Sequence, residues 1–406
     1  MPGNIHAYIC RVPFNRIILL VIDACGVGEL PDAADYGDSG AATLPNVAKA
    51  VSGLRMPVCD CLGLGNVADI QGVSPNPSPI GCFGRMTEQS PGKDSTTGHW
   101  ELGGVILSNP FPLFPNGFPQ ELVTEFERHS NVKTMGNKAA SGTEIIKELG
   151  ERHLETREII LYTSADSVWQ MAAHEEIYPL ARLYELCQIA RDMLTGKYAV
   201  ARVIARPFVG TPGNFTRTAG RRDFSLEPPQ DTILDVLVKN GFKTLAIGKI
   251  YDLFAGRGIT TKVKAVNNDE VMRVVINFAQ KDKSHDMAFA NLVDFDMLWG
   301  HRRDARSFAG GLEEFDRRLG ELLPVLREDD LLIITADHGC DPTYDKHTDH
   351  TREYVPLLVY GKRAKQGVNL GTRKTFADVG CTLAEVFDIQ SPSSGSSFLN
   401  QVREKP

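Results

Sequence analysis

A chain of 406 residues, 42% hydrophobic and 23% charged, is too long for one simple core and has the balance of a soluble globular protein of two domains. Its net charge of −7 leaves no basic surplus to displace counterions from nucleic acid. No run approaches the ~18 apolar residues of a membrane span, so neither nucleic acid nor membrane is an expected partner, and nothing marks an obligate protein partner.

Residues 1–15 lack the basic start and continuous apolar stretch of a signal peptide and read as a short extension. Eight cysteines are scattered at 10, 25, 59, 61, 82, 187, 340 and 381, and without a secretory signal they point to a reduced, cytoplasmic setting. Cys59-Asp-Cys61 finds no second pair to complete a zinc site, and Cys340 reads as packing.

The first apolar run, Ile17-Ile-Leu-Leu-Val-Ile-Asp23, has the form of a buried strand ending on a carboxylate. Leu44–Gly53 reads as a short helix closed by glycine, and 71–80 as a Pro/Ser loop. Ser90-Pro-Gly-Lys-Asp-Ser95-Thr-Thr-Gly-His-Trp-Glu101 sets small hydroxyl residues at a helix start, which suits a nucleophile facing a phosphate held by backbone N–H groups. Residues 109–119 are Pro- and Gly-rich and read as a crossing into another unit. That unit would contain the strand Ile159–Thr163 running to Asp166, a helix over 179–195 and a strand over 200–207; the basic, Pro/Gly-rich stretch 210–230 would lead back.

From 231 an α/β rhythm resumes, with a helix over 231–240 and a strand over 243–247. Phe289–Asp296 and Leu331–Asp337 then repeat the opening pattern, an apolar run ending in ligand-type residues. His301 follows the first, and His338 and His350 follow the second. An amphipathic helix over 304–327 lies between them with the length of a right-handed crossover. A helix over 376–387 and a frayed Ser/Gly tail close the chain.

A lone Asp or His after a strand is usually a cap or a surface group. Recurrence changes that reading, because ionised groups near buried strand ends are costly unless paired or metal-bound. Three carboxylates and three imidazoles suit two divalent cations and metal-assisted phosphoryl chemistry. None of them falls in 107–228. The expected organisation is therefore a core in two parts, 1–106 and 229–406, with an inserted cap over 107–228 and no internal repeat.

Together these segments resemble the phosphopentomutases of the alkaline phosphatase superfamily, over nearly all of 17–390. The resemblance rests on Val21–Gly28, Gly37–Leu44, Gly92–Glu101, Tyr162–Ser167, Arg202–Phe208, Gly213–Thr218, Asp294–Arg303, Ala336–Pro342 and Thr348–Glu353. The Asp and Asp-His set belongs to many metallophosphatases. Gly-Lys-Asp before Thr-Gly-His-Trp-Glu, Thr-Ser-Ala-Asp-Ser, and Asp-Phe-Asp before Trp-Gly-His-Arg-Arg are specific to the mutase.

The resemblance implies an α/β core with a mostly parallel sheet flanked by helices, plus a smaller α/β cap that serves as a lid excluding water. It implies interconversion of ribose 1-phosphate and ribose 5-phosphate, and of the 2-deoxyribose pair, through a phosphoenzyme and a 1,5-bisphosphate. A sugar 1,6- or 1,5-bisphosphate would act as activator. It also implies two Mn²⁺ ions, one held by Asp23, Asp337, His338 and the nucleophile oxygen, the other by Asp296, His301 and His350. Other divalent metals suit the same donors.

The nucleophile position falls on Ser95, where the family usually has threonine; Thr96 and Thr97 are its neighbours. The loop 343–350 is slightly longer than usual and carries an extra His347. Arg202, Ile204 and Arg206 share one strand face and could hold the substrate's other phosphate. Ser164, Asp166, Val168, Arg217 and Lys249 complete the candidate substrate-binding set. The rivals are a phosphatase or phosphodiesterase on the same core, a phosphoglycerate mutase, and a non-catalytic sugar-phosphate binder.

Overall fold

Arg16–Ile22 is buried at every position, as a central strand covered on both faces must be, and it forms β1. The computed structural model describes residues 13–164 and 166–404. Along the chain β1 is followed by β2 (Cys82–Met86), β3 (Thr134–Ala139), β4 (Ile159–Thr163), β5 (Val168–His174), β6 (Arg202–Thr211), β7 (Asn214–Arg217) and β8 (Arg222–Ser225). Then come β9 (Thr244–Ile247), β10 (Thr261–Val263), β11 (Met287–Leu292), β12 (Asp330–Thr335), β13 (Val355–Tyr360) and β14 (Asn369–Arg373).

The chain divides into two compact units, one of residues up to 108 with 228–251 and 256–406, the other of 109–227 with 252–255. The tetrapeptide Asp252–Ala255, assigned to the core by sequence, groups with the second unit.

The first unit holds an eight-stranded sheet in the order β10-β9-β11-β1-β12-β13-β2-β14. From β10 to β12 every neighbour is parallel, and β13 runs antiparallel to both β12 and β2. The result is a large, mostly parallel α/β sheet flanked by helices. β11, β1 and β12 lie side by side, so their carboxyl ends open on the same edge. Arg16 and Asp330 tie β1 to β12 from within, Nε to Oδ1 at 2.6 Å and Nη2 to Oδ2 at 2.6 Å, both residues buried.

The second unit is built on β3-β4-β5-β6-β7, with β8 pairing the first half of β6. Side chains alternate across this sheet. Ile159, Leu161, Trp169 and Met171 pack with the helices Gln120–Ser130 and Leu180–Met193, while Ile160, Tyr162, Ala172 and Phe208 face the helix Gly142–Thr156. β7 and β8 replace the connector expected over 210–230: this polar stretch borrows its order from β6, pairing the two ends of the β6 edge that faces away from β5.

Several bounds shift. The helix expected to reach 327 ends at Leu322, where Pro324 turns the next residues into a 3₁₀ turn, Leu323–Val325. The tail is not frayed over its described length. Phe398, Leu399 and Val402 are fully buried, the Ser396 amide donates to Asp378 Oδ1 at 2.6 Å, and the Phe398 amide donates to Thr382 Oγ1.

Candidate active site

Asp23 follows β1 directly, Asp337 stands two residues past β12, and Asp296 lies in a one-turn π-helix, Phe295–Trp299, just beyond β11. Three neighbouring parallel strands thus deliver three carboxylates to one edge, where open α/β sheets collect their ligands. His338, His301 and His350 converge on the same place. His338 Nε2 is 3.4 Å from Asp23 Oδ1 and 3.3 Å from Asp337 Oδ2. His301 Nε2 and His350 Nε2 lie 3.1 and 3.2 Å from Asp296 Oδ1.

Two ring nitrogens are oriented from behind. His338 Nδ1 donates to Gly339 O at 3.0 Å and His301 Nδ1 donates to Thr348 O at 2.6 Å, which turns the Nε2 lone pairs toward the carboxylates.

The donor atoms form two clusters, Asp23–Asp337–His338 and Asp296–His338–His350, each within 4.8 Å, and His338 belongs to both. The donor set fits divalent cations on its own terms. Asp23 Oδ1 and Asp337 Oδ2 are buried and accept no hydrogen bond, a costly arrangement for carboxylates unless a cation completes them. Burial, reinforced by Asp337, pushes Asp23 up to about 7. Asp337 is held below the usual carboxylate range: burial works against this, and His338 and His99 more than reverse it. Two buried carboxylates cannot both ionise here without a positive charge between them. Cys340 Sγ also approaches Asp296 and His301, but burial pushes the thiol up to about 12, so it packs as a neutral group.

Ser95 is the first residue of the helix Ser95–Leu102, and its Oγ lies 3.1 Å from His338 Nε2. Serine oxygen and imidazole nitrogen therefore sit as two donors around one point. The neighbouring hydroxyls are otherwise disposed: Thr96 and Thr97 are buried, and Thr97 Oγ1 donates to Asp94 Oδ2. Asp94 caps the helix and accepts from the amides of Thr96 and Thr97, so two of the N–H groups expected to face a phosphate are already taken. Gly98 lets this helix lie against the ligand strand: a Cβ there would stand 2.1 Å from Asp337 O.

Lys249 bridges the two clusters, Nζ lying 3.3 Å from Asp23 Oδ2 and 3.8 Å from Asp296 Oδ2. A residue taken from sequence as a sugar-phosphate contact thus meets the carboxylates themselves. In the second unit Arg202 faces Asp166 at 3.4 Å and Asp223 at 3.6 Å, and Arg206 donates to Gln170. Val168 and Ile204 have buried side chains, so they can meet a ligand only through backbone atoms. Ser164 lies one residue past β4, and Arg217 is exposed at the end of β7.

Sequence reasoning passed over the groups that hold these donors in place. His99 is fully buried, donates from Nδ1 to Ser95 O at 2.8 Å and lies 3.1 Å from Asp337 Oδ2. Asp38, also buried, accepts from Lys93 Nζ at 3.0 Å, His347 Nε2 at 2.8 Å and the Arg352 amide at 2.8 Å. The Arg352 guanidinium donates in turn to Glu88, Ser90 O and Gly92 O. Lys93, His99 and Arg352 stand inside the quoted motifs, which was the available signal. Asp38 likewise stands in the quoted Gly37–Leu44 motif, but nothing in that turn names Lys93, His347 and Arg352 as its partners.

Residues 15–391 match the model of the Metalloenzyme superfamily. A phosphopentomutase of Clostridium novyi is 54% identical over 388 residues, 96% of this chain and 99% of that protein. Those of Carboxydothermus hydrogenoformans and Thermotoga maritima are each 55% identical, over 96% of this chain and all of theirs. The chain belongs to the phosphopentomutase family. It is accordingly an enzyme of the isomerase class and a member of a metal-dependent superfamily. No helix among the described residues is long and apolar enough to cross a membrane.

Proposed function

We propose that this chain interconverts α-D-ribose 1-phosphate and ribose 5-phosphate, and the 2-deoxyribose pair, in the cytoplasm, with pentose phosphates as its partners and Ser95 carrying phosphate in the resting enzyme. The observation that carries the reading is Ser95 Oγ beside His338, at an edge where two buried carboxylate oxygens lack any hydrogen bond. Asp23, Asp337, His338 and Ser95 Oγ would hold one Mn²⁺ or similar divalent ion, and Asp296, His301 and His350 a second. When bound, the two ions would lower the pKa of the Ser95 hydroxyl and neutralise charge on the phosphoryl oxygens.

The chain's own part is positioning. In the first half-reaction the free hydroxyl of a sugar monophosphate attacks the phosphorus on Ser95 in line. The Ser95 Oγ–P bond breaks, and the sugar's hydroxyl proton ends on Ser95, leaving a 1,5-bisphosphate. In the second half Ser95 Oγ attacks the other phosphate of that bisphosphate, its proton returns to the sugar oxygen, and the isomer leaves. A trace of sugar bisphosphate would load Ser95 at the start. Lys249 would keep the two carboxylates in register, and Ser164, Asp166, Arg202, Arg206 and Arg217 would bind the hydroxyls and phosphate of the pentose.

The test follows Mn²⁺-loaded protein with ribose 1-phosphate and a trace of glucose 1,6-bisphosphate by ³¹P NMR. The reading expects ribose 5-phosphate without inorganic phosphate, and loss of at least a thousandfold in kcat for Ser95→Ala. Accumulating free phosphate would mean hydrolysis of the phosphoenzyme and a phosphatase instead.

A further inference from the structure

Glu353 is a buried carboxylate that the chemistry proposed above leaves unused. It is 2% exposed, and among the described residues it forms no ion pair. Four neutral donors surround it instead. Oε2 accepts from the amides of Gly28 at 3.1 Å and Thr43 at 2.8 Å, and Oε1 accepts from the hydroxyls of Thr43 and Thr351, each at 2.6 Å. Burying a carboxylate without a counter-charge is costly, so holding the fold together does not by itself account for it.

Each donor leads to a segment that carries a candidate cation donor. Gly28 lies in the turn that leaves Asp23, and Thr351 follows His350 directly. Thr43 reaches the third segment: its Oγ1 accepts at 3.2 Å from the amide of Cys340, two residues past His338. Backbone bonds lace the same segments. Gly339 and Thr351 exchange amide-to-carbonyl bonds of 3.1 and 2.7 Å, and Val27 donates to Tyr354 O and Tyr354 to Gly28 O, both at 2.8 Å. Two glycines keep the space the carboxylate fills, since a Cβ at Gly26 would overlap Oε2 and one at Gly339 would overlap Oε1.

We infer that Glu353 is a positioning residue that sets the spacing of the two cation sites, by fastening the segments after Asp23, His338 and His350 to one carboxylate. The inference rests on the two-metal reading above. Asp23 and His338 serve one site and His350 the other, so losing this tie shifts the sites relative to each other without removing a ligand.

Glu353→Ala removes all four acceptors. Glu353→Gln keeps the shape and one oxygen for the two amides, and the threonine hydroxyls can rotate to accept from its NH₂ group. Should the alanine variant not fold, Thr351→Val, which cuts only the tie to the His350 segment, takes its place with the same change expected. Electron paramagnetic resonance of the full chain with two equivalents of Mn²⁺ reads the magnetic coupling between neighbouring ions. Glu353→Ala is expected to weaken that coupling and lower kcat about a hundredfold, with KM for ribose 5-phosphate within about threefold, and Glu353→Gln to recover the parent spectrum and most of kcat. Hydrogen exchange of the metal-free chain should quicken at the amides of Gly28, Thr43 and Cys340 in the alanine variant alone. A folded alanine variant that is less stable but keeps the parent's coupling and kcat would overturn the inference, as would a glutamine variant as impaired as alanine. If the parent shows no coupled pair, the two-metal reading falls, while exchange at the three amides still reads the tie.

Discussion

Gly98 shows how one missing methyl group sets the distance between nucleophile and metal ligands. Alanine at an interior helix position normally gains about 1 kcal/mol over glycine. Here its Cβ would stand 2.1 Å from Asp337 O, a backbone atom that cannot step aside, and overpacking of this kind costs roughly 1–3 kcal/mol. The clash wins, and relief must push the Ser95 helix off the ligand strand. Gly98→Ala should bind Mn²⁺ at least tenfold more weakly by calorimetry, and equal affinity would contradict this account.

Asp23 carries a second prediction. Its pKa is raised, so in metal-free protein it keeps a proton until about pH 7, and a cation must displace that proton. Stability from protonated Asp23 is present at low pH and lost as pH rises through about 7. Metal affinity should therefore climb between pH 6 and 8, with protons released on binding at pH 6. Titrations in buffers of different ionisation enthalpy read the number directly. At this scale Asp23, Asp296, Asp337 and His338 were legible because each closes an apolar run, while His301 and His350 stand further along the chain. Asp38, which reaches Lys93, His347 and Arg352 across the chain, was not, because only folding brings those segments together.

Among elements, β1 and β12 depend on a buried ion pair. Arg16 donates to Asp330 through two nitrogens and to the carbonyls of Phe278, Ala279 and Asp282 through its remaining donors. Asp330→Ala leaves that guanidinium buried without its charge partner, a loss of about 3–5 kcal/mol. Urea unfolding should show the midpoint falling with an unchanged slope. Strands of continuous Ile, Leu and Val announced themselves in sequence. β7 and β8 did not, since only Phe224 of their residues is buried and their strand state comes from pairing with β6 rather than from their own pattern. The tail failed for a related reason: Phe398, Leu399 and Val402 are buried behind a Ser/Gly run that by itself suggests disorder.

For the molecule as a whole, the two units differ in what a chelator should do to them. All seven candidate cation donors belong to the first unit and none to residues 109–227. Removing metal should lower the stability of the first unit by about 2.7 kcal/mol if the ions were held at a hundredfold over their Kd. Hydrogen exchange should accelerate after chelation at the carboxyl ends of β1, β11 and β12, and stay unchanged in β4 to β6. The division into two units was legible because ligand-type residues avoid the middle of the chain. The placing of Asp252–Ala255 with the second unit was not, because nothing in that tetrapeptide distinguishes it from its flanks.

The position of β1 has a consequence for synthesis. Both of its neighbours are late: Ile17 pairs with Met287 on one side and Leu331 on the other. An emerging chain therefore carries a naked strand, apolar from Ile17 to Ile22, past the ribosome long before either edge can be covered, while residues 109–227 can close on themselves as soon as they appear. A ribosome stalled before Met287 would display a finished small unit and a sticky, metal-free first strand, the form of this protein most in need of a chaperone.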